Sequence, residues 1–169
     1  MDSLALEQIA NIADIIGALL IVVSLVYVAV QIKQNTSSMR IQTVHDLYSQ
    51  YVEAQASLAH DKELCEIYHR GIFKYDELTP FEQLRFTLKL ASLLRIFDEL
   101  HFRHAEGWLD DSAWTGLNAV IIDIIHYPGF RATWKLRNHQ YTGEFQTYIN
   151  NILTEGLSGN SSVYPEPDN

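Results

Sequence analysis

Several residues and patterns that mark a particular chemistry are rare or missing in this chain. Cysteine occurs once, at Cys65, which excludes an intramolecular disulfide and agrees with a reducing compartment. A lone cysteine in a helix is usually a small core residue, and no Gly-rich phosphate loop, nucleophile elbow or zincin helix motif accompanies it. These absences predict a protein that is not an enzyme and that needs no cofactor.

Basic residues are also scarce. The chain has 12 Lys and Arg against 21 Asp and Glu, so its formal net charge is −9. Proteins that bind nucleic acid need clustered Lys and Arg to contact the phosphates. No such cluster occurs here, and we expect no nucleic acid among the partners of this protein.

Long apolar runs are rare as well, with one exception, Ile15–Ile32, which has no charged residue between Asp14 and Lys33. Its 18 residues rise about 27 Å as a helix, at roughly 1.5 Å each, which is close to the thickness of a hydrocarbon core. One alternative is a buried core helix, but such a helix usually has one polar, solvent-facing side. The other is a cleaved signal peptide, but such a peptide begins with a basic region. We predict one membrane-spanning helix, with the lipid bilayer as its partner.

The basic residues beside this run predict its orientation. Lys33 and Arg40 follow it, and no Lys or Arg precedes it. The positive-inside bias therefore places the N-terminus outside and the C-terminal domain in the cytoplasm.

Small and polar residues recur along the predicted membrane helix: Asp14, Gly17, Ser24, Tyr27 and Gln31. Spacings of three, four and seven drift only slightly around a helix, so these five residues form a stripe, here called the assembly stripe. Such a stripe lets a neighbouring backbone approach and exchange hydrogen bonds, which favours a homo-oligomer or contact with another membrane protein. Alternatively, Asp14 and Gln31 simply mark the two interfaces of the bilayer. A conducting pore is less favoured, because only Ser24 is polar near the midplane.

The remaining chain shows helical spacing of apolar residues and no period-two alternation. The predicted fold class is all-α: one N-terminal transmembrane helix followed by a soluble bundle of about five helices. Residues 1–35 are predicted to form the membrane helix with a short external N-terminus, 36–156 a cytoplasmic helical bundle, and 157–169 a disordered tail. Residues 34–38 fit either a helix cap or a helix interior, so continuity between the first two helices stays open.

Local signals predict two helix boundaries in the bundle. Lys62–Arg70 reads as a short helix that ends at Gly71. Thr79-Pro80-Phe81-Glu82 predicts a capping box with proline at the first helical position, and the helix then runs to about Glu106. Its predicted apolar set is Leu84, Leu88, Ala91, Leu94, Ile96, Phe97 and Leu100.

Three stretches resemble a family of uncharacterised bacterial proteins with one N-terminal transmembrane helix and a small helical domain. They are LEQIANIADIIGA (residues 6–18), YVAVQIKQNT (27–36), and Pro128-Gly129-Phe130-Arg131 followed by Trp134. The resemblance covers most of the chain except the tail. It implies a protein of the bacterial inner membrane, and it implies no activity and no functional residues.

Three acid–histidine pairs have i, i+3 spacing: Glu66 with His69, Asp98 with His101, and Asp123 with His126. On a helix each pair shares a face, and helical bundles hold di-metal centres with carboxylates and imidazoles spaced in this way. The same spacing also suits surface ion pairs and helix-end contacts, which need no metal. His104 joins the second pair in a polar cluster, which gives seven candidate ligand or metal residues in all.

These observations together predict a membrane-anchored helical interaction or scaffold module that self-associates through its transmembrane helix. One alternative is a subunit of an oligomeric channel or a transport accessory, which the polar members of the assembly stripe would serve. A second alternative is a membrane sensor that binds a metal or another ligand through the acid–histidine pairs.

Overall fold

The computed structural model describes the backbone of residues 3–156 and 163–165, and the side chains of 11–12, 15–156 and 163–165. Over these residues the chain is helical, without strands, and the predicted all-α fold class is confirmed. The α-helices are α1 (Ser3–His60), α2 (Lys62–Phe73), α3 (Pro80–Ala105), α4 (Asp111–Ile124), α5 (Pro128–Arg137) and α6 (Gly143–Glu155). Two 3-10 turns, Tyr75–Glu77 and Asn138–Gln140, separate α2 from α3 and α5 from α6.

The first helix is continuous over its whole length. It has 58 residues, and residues 34–38 lie in its interior, so they do not cap a new helix. The chain divides into two units between Gln42 and Thr43, and this division falls inside α1.

The N-terminal unit is helical over its described residues, 3–42, and its apolar run is exposed. From Ile15 to Ile32 the large apolar side chains are 47 % (Val28) to 64 % (Val23) exposed. Among the described residues, this run lies in the one helix that is long and apolar enough to cross a membrane. An 18-residue window of that helix has a mean hydropathy of 2.7.

The boundaries of three helices in the C-terminal unit follow from their caps. At the start of α3, the Thr79 hydroxyl accepts from the Glu82 amide at 3.4 Å, and Glu82 accepts from the Thr79 amide at 2.9 Å. This is the predicted capping box, and Gly107 ends the helix region with φ +71°. The side chains of Asp110 and Thr142 cap α4 and α6 by accepting from the amides of Ala113 and Phe145, respectively.

The predicted end of the second helix at Gly71 is wrong, because α2 continues to Phe73. Gly71 is buried in the last turns of α2, where its carbonyl oxygen meets Gly129 of α5. A Cβ placed on Gly129 would lie 2.2 Å from that oxygen and 2.8 Å from the ring of Phe86. Gly129 therefore permits the close approach of α5 to α2, while Gly71 makes room for the ring of Phe86, 2.5 Å from where its Cβ would lie, and does not serve a helix end.

The core of the C-terminal unit is apolar and aromatic. Its fully buried side chains include Ile72, Phe86, Leu90, Leu94, Phe97, Leu100, Ile121, Ile125, Phe130, Phe145 and Ile149. The last part of α1 adds a seam to this core, formed by Val44, Leu47, Tyr51 and Leu58. These residues recur at three, four and seven, as expected for one face of a helix.

One residue of the segment predicted to be a disordered tail packs on this core. Tyr164 has ring contacts with Tyr68 at 6.1 Å and Tyr127 at 5.7 Å between centroids. The backbone oxygen of Pro165 lies 2.6 Å from Nε2 of His69. Residues 157–162 and 166–169 of the predicted tail lie outside the described part of the chain.

Candidate functional site

The assembly stripe lies on the exposed part of α1. Ser24 donates its hydroxyl to the backbone oxygen of Leu20 at 2.8 Å. Gln31 donates its side-chain amide to the hydroxyl oxygen of Tyr27, also at 2.8 Å. A Cβ on Gly17 would meet nothing within 4 Å, so the surface at this position is open. The side chain of Asp14 lies outside the described residues.

The Tyr27–Gln31 bond leaves hydrogen-bonding capacity on both side chains. It uses one amide hydrogen of Gln31 and one lone pair of the Tyr27 oxygen. A tyrosine hydroxyl also donates one hydrogen, and a glutamine carbonyl oxygen accepts. The same stretch of helix therefore offers one donor and one acceptor to a neighbouring helix.

The first acid–histidine pair does not act as a pair. Glu66 contacts the ammonium of Lys62 at 3.7 Å, one turn back on the helix surface. His69 points to the Pro165 oxygen and lies edge-on to the ring of Phe73. Each residue thus has a structural partner that needs no metal.

The second pair divides in the same way. Asp98 is buried and accepts from both the hydroxyl and the amide of Thr142, at 2.6 and 3.2 Å. His101 instead lies among aromatic rings, 4.8 Å from Tyr148 between centroids, and its Nδ1 has no hydrogen-bond partner among the described residues. Burial lowers the pKa of His101, while the charges of Asp98 and Glu144 oppose that shift.

His104 and the third pair are also held by local contacts. The ring of His104 stacks on Trp114, and its Nδ1 lies 3.2 Å from the Leu109 oxygen. Both ring nitrogens of His126 are buried without a hydrogen-bond partner in the described part of the chain, and the ring lies against Tyr127. Asp123 is partly buried on α4, whereas His126 lies in the turn after that helix, so the two residues do not share a helix face.

The described residues hold no group of three or more His, Cys, Asp or Glu side chains that could bind a metal ion. The metal site therefore stays a prediction with no described cluster to support it. The reason is geometric: Asp98 is engaged by Thr142, and His101 lies against aromatic rings.

The C-terminal unit has an open groove of about 1180 Å³ between the last part of α1 and α3. Here it is called the α1–α3 groove. Arg137, Gln140, Tyr141 and Thr142 complete its lining. Its charged side chains are Glu53, Lys89, Arg95, Asp98, Glu99 and Arg137.

Lysine 89 joins the two walls of this groove. Its ammonium donates to the backbone oxygen of Ala54 and to the hydroxyl of Ser57, both at 2.5 Å. Partial burial lowers the pKa of Lys89. The contact fixes the distance between α1 and α3, so the groove has a defined width.

The sequence analysis did not select Lys89, Arg95 or Arg137 as site residues. A signal was present, because Lys89, Ser92, Arg95 and Glu99 recur at three and four within a helix whose cap is plain in the sequence. Nothing in the sequence predicted that Arg137, which lies 42 positions beyond Arg95, is close to this polar face.

Comparison of the chain with protein-family models, with curated proteins and with solved structures gives no match. The fold and its surfaces thus define the class by themselves: an all-α chain whose N-terminal helix exposes an apolar run long enough to cross a membrane. The resemblance to a bacterial family stays a prediction, because no comparison bears on it.

Proposed function

We propose that this protein is a membrane-anchored helical interaction module that self-associates through α1. The observation that carries the proposal is the exposed apolar surface of Ile15–Ile32. Its 12 Ile, Leu and Val residues favour insertion by at most about 7 kcal/mol, at roughly 0.6 kcal/mol each. Lipid would cover this surface fully, whereas water would leave a contiguous apolar patch exposed.

The same proposal includes a location and an orientation. Lys33 and Arg40 after the run, with no base before it, support a cytoplasmic domain and an external N-terminus. The resemblance to bacterial proteins with one membrane helix supports the bacterial inner membrane. A module held at a membrane raises the local concentration of whatever it binds, so that weak contacts become effective.

The hydrogen-bonding groups of the assembly stripe support self-association. In a parallel pair of helices, the Tyr27 hydroxyl of one copy would donate to the Gln31 carbonyl oxygen of the other. Gly17, two residues after the N-terminal end of the run, would let the two backbones approach. Hydrogen bonds of this kind between membrane helices contribute about 0.6 kcal/mol on average and at most about 1.7 kcal/mol.

Two substitutions in the full-length protein, reconstituted in lipid bilayers, test the assembly. Gln31→Leu removes both of its hydrogen-bonding groups, and we expect the free energy of association to weaken by about 0.6–1.7 kcal/mol. Gly17→Leu places bulk on the stripe and should weaken association further. The measurement is energy transfer between differently labelled copies as a function of the protein-to-lipid ratio.

The matched control is Ala18→Leu, which adds comparable bulk beside the stripe, rotated by about 100° around the helix. It should leave association unchanged. Equal effects of Gly17→Leu and Ala18→Leu would show that the stripe is not the interface. A wild-type protein that is strictly monomeric in mild detergent and in bilayers would refute self-association altogether.

A further inference from the structure

Two guanidinium groups in the α1–α3 groove have no carboxylate within ion-pair distance among the described residues. Arg95 lies over the ring of Tyr141, 5.7 Å from its centroid. Arg137 contacts the side-chain oxygen of Gln140 at 3.5 Å. Outside the groove, Arg70, Arg85 and Arg103 contact acids, whereas Arg131 on α5 is exposed and has no ion pair among the described residues.

This arrangement is unexpected in a chain with nine more acids than bases. Where acids are in excess, a surface arginine readily finds a carboxylate, as the pairing of Arg103 with Glu99 and Glu106 illustrates. Two arginines without such partners in one concave surface leave positive charge there that is free to meet an anion.

The acids that line the groove do not neutralise the charges of Arg95 and Arg137 by direct contact. Asp98 is engaged by Thr142, and Glu99 is engaged by Arg103 at 2.5 Å. Glu53 is exposed on the α1 wall. Lys89 adds a third cation, whose bonds to Ala54 and Ser57 are to neutral oxygens and leave its charge in place.

The rest of the lining is uncharged, and part of it is apolar. Leu47, Ala54, Leu88, Ala91 and Ile96 contribute side chains to it, and Leu88 is half exposed. The ring of Tyr141, over which Arg95 lies, is buried. The volume of about 1180 Å³ exceeds the range of about 300–1,000 Å³ typical of small-molecule sites, so a small ligand would occupy only part of the groove.

We propose that the α1–α3 groove binds an organic anion with a carboxylate or phosphate group and an apolar body. Arg95 and Arg137 bind the anionic group, because a guanidinium presents paired donors that match two oxygens of a carboxylate or phosphate. The apolar body lies along the Leu47, Ala91 and Ile96 surface. The inference does not depend on membrane insertion or self-association, since every residue in it belongs to the C-terminal unit.

The test uses the full-length protein in lipid nanodiscs, or in buffer if it stays dispersed without lipid. The probes are 1-naphthyl phosphate and 1-naphthoate, which combine an apolar ring with each anionic group. Inorganic phosphate lacks the apolar body, and 1-naphthylmethylammonium reverses the charge. Binding is measured by calorimetry against empty nanodiscs.

The informative variant is Arg95→Gln with Arg137→Gln. We expect both naphthyl anions to bind the wild type saturably and to bind this variant about tenfold more weakly or worse, because charge-assisted hydrogen bonds are lost. The matched control, Arg131→Gln with Lys135→Gln, makes the same change of charge at exposed positions of α5 outside the groove. It should retain wild-type affinity.

A conservative variant keeps the proposal falsifiable if the glutamine variant unfolds. Arg95→Lys with Arg137→Lys preserves both charges and loses the paired donors, so its affinity should fall between those of the other two proteins. Equal affinity of the wild type and the glutamine variant would overturn the proposal. So would the absence of saturable binding to the wild type, or equal binding of inorganic phosphate or of the naphthyl cation.

Discussion

At the scale of single residues, identical sequence spacing leads to different environments. Asp98 and His101 lie one turn apart on α3, as the i, i+3 spacing predicts. Asp98 is engaged by Thr142, which lies 44 positions later in the sequence, whereas His101 lies against rings from α4 and α6. The sequence predicts that the two side chains share a face, but it cannot predict their partners, because those come from helices that pack only in the folded chain.

The burial of His101 has a consequence for stability against pH. Its pKa is lowered below the ordinary value of 6.5, so the folded protein binds fewer protons than the unfolded chain just below that pH. The contribution of this residue is therefore fully present above pH 6.5 and is lost as the pH falls toward the lowered pKa.

We expect the free energy of unfolding of the detergent-solubilised protein to fall more steeply, as the pH is lowered from 6.5, than that of His101→Leu. Urea titrations followed by tryptophan fluorescence measure the difference. His139→Gln, at an exposed histidine, is the control and should keep the wild-type slope. Parallel pH profiles for the wild type and His101→Leu would contradict this prediction.

At the scale of elements, the ends of a helix can be predicted where local contacts determine them. The side of a helix that is buried cannot be predicted where packing against other helices determines it. The capping box at Thr79 and the stop at Gly107 involve residues within one turn, so the sequence alone predicts them. The predicted apolar face of α3 is partly wrong: Leu84 and Leu88 are half exposed, and Phe86 and Leu90 are fully buried. Apolar residues occur on several sides of α3, so periodicity alone does not select the buried side.

The contact between α2 and α5 can be tested at Gly129. Gly129→Ala places a methyl group against the Gly71 backbone, which cannot move aside without shifting α2. We expect it to destabilise the folded state by about 1–3 kcal/mol. Urea unfolding of the solubilised protein gives the value.

Gly116 of α4 provides the matched control. A Cβ there would meet nothing within 4 Å, so Gly116→Ala should stabilise the protein by about 0.5–1 kcal/mol through helix propensity. If both substitutions had the same sign, α2 and α5 would not be in contact as described.

At the scale of the whole molecule, the apolar run of α1 could be predicted because it depends only on neighbouring residues. The α1–α3 groove could not, since its lining comes from α1, from α3 and from residues 137–142. The sequence shows which charged residues the chain has, but it does not show that these residues lie close together on one surface. The candidate residues chosen by spacing were therefore the histidines, whereas the concave surface gathers arginines.

The proposed orientation can be checked with the single cysteine, because Cys65 is exposed in the C-terminal unit. In bacterial spheroplasts that express the protein, a membrane-impermeant maleimide should leave Cys65 unlabelled until the membrane is permeabilised. Cys65→Ser controls for background labelling. Equal labelling before and after permeabilisation would place the domain outside the cell.

The contact between Gly71 and Gly129 also bears on how this sequence can diverge. A side chain gained at Gly129 would collide with the Gly71 backbone unless α2 and α5 moved apart, and one gained at Gly71 would collide with the side chains of Phe86 and Leu78. Descendants of one ancestral gene that keep this packing should therefore keep glycine at both sites. The pair offers a test of common ancestry that overall identity between two helical sequences does not provide.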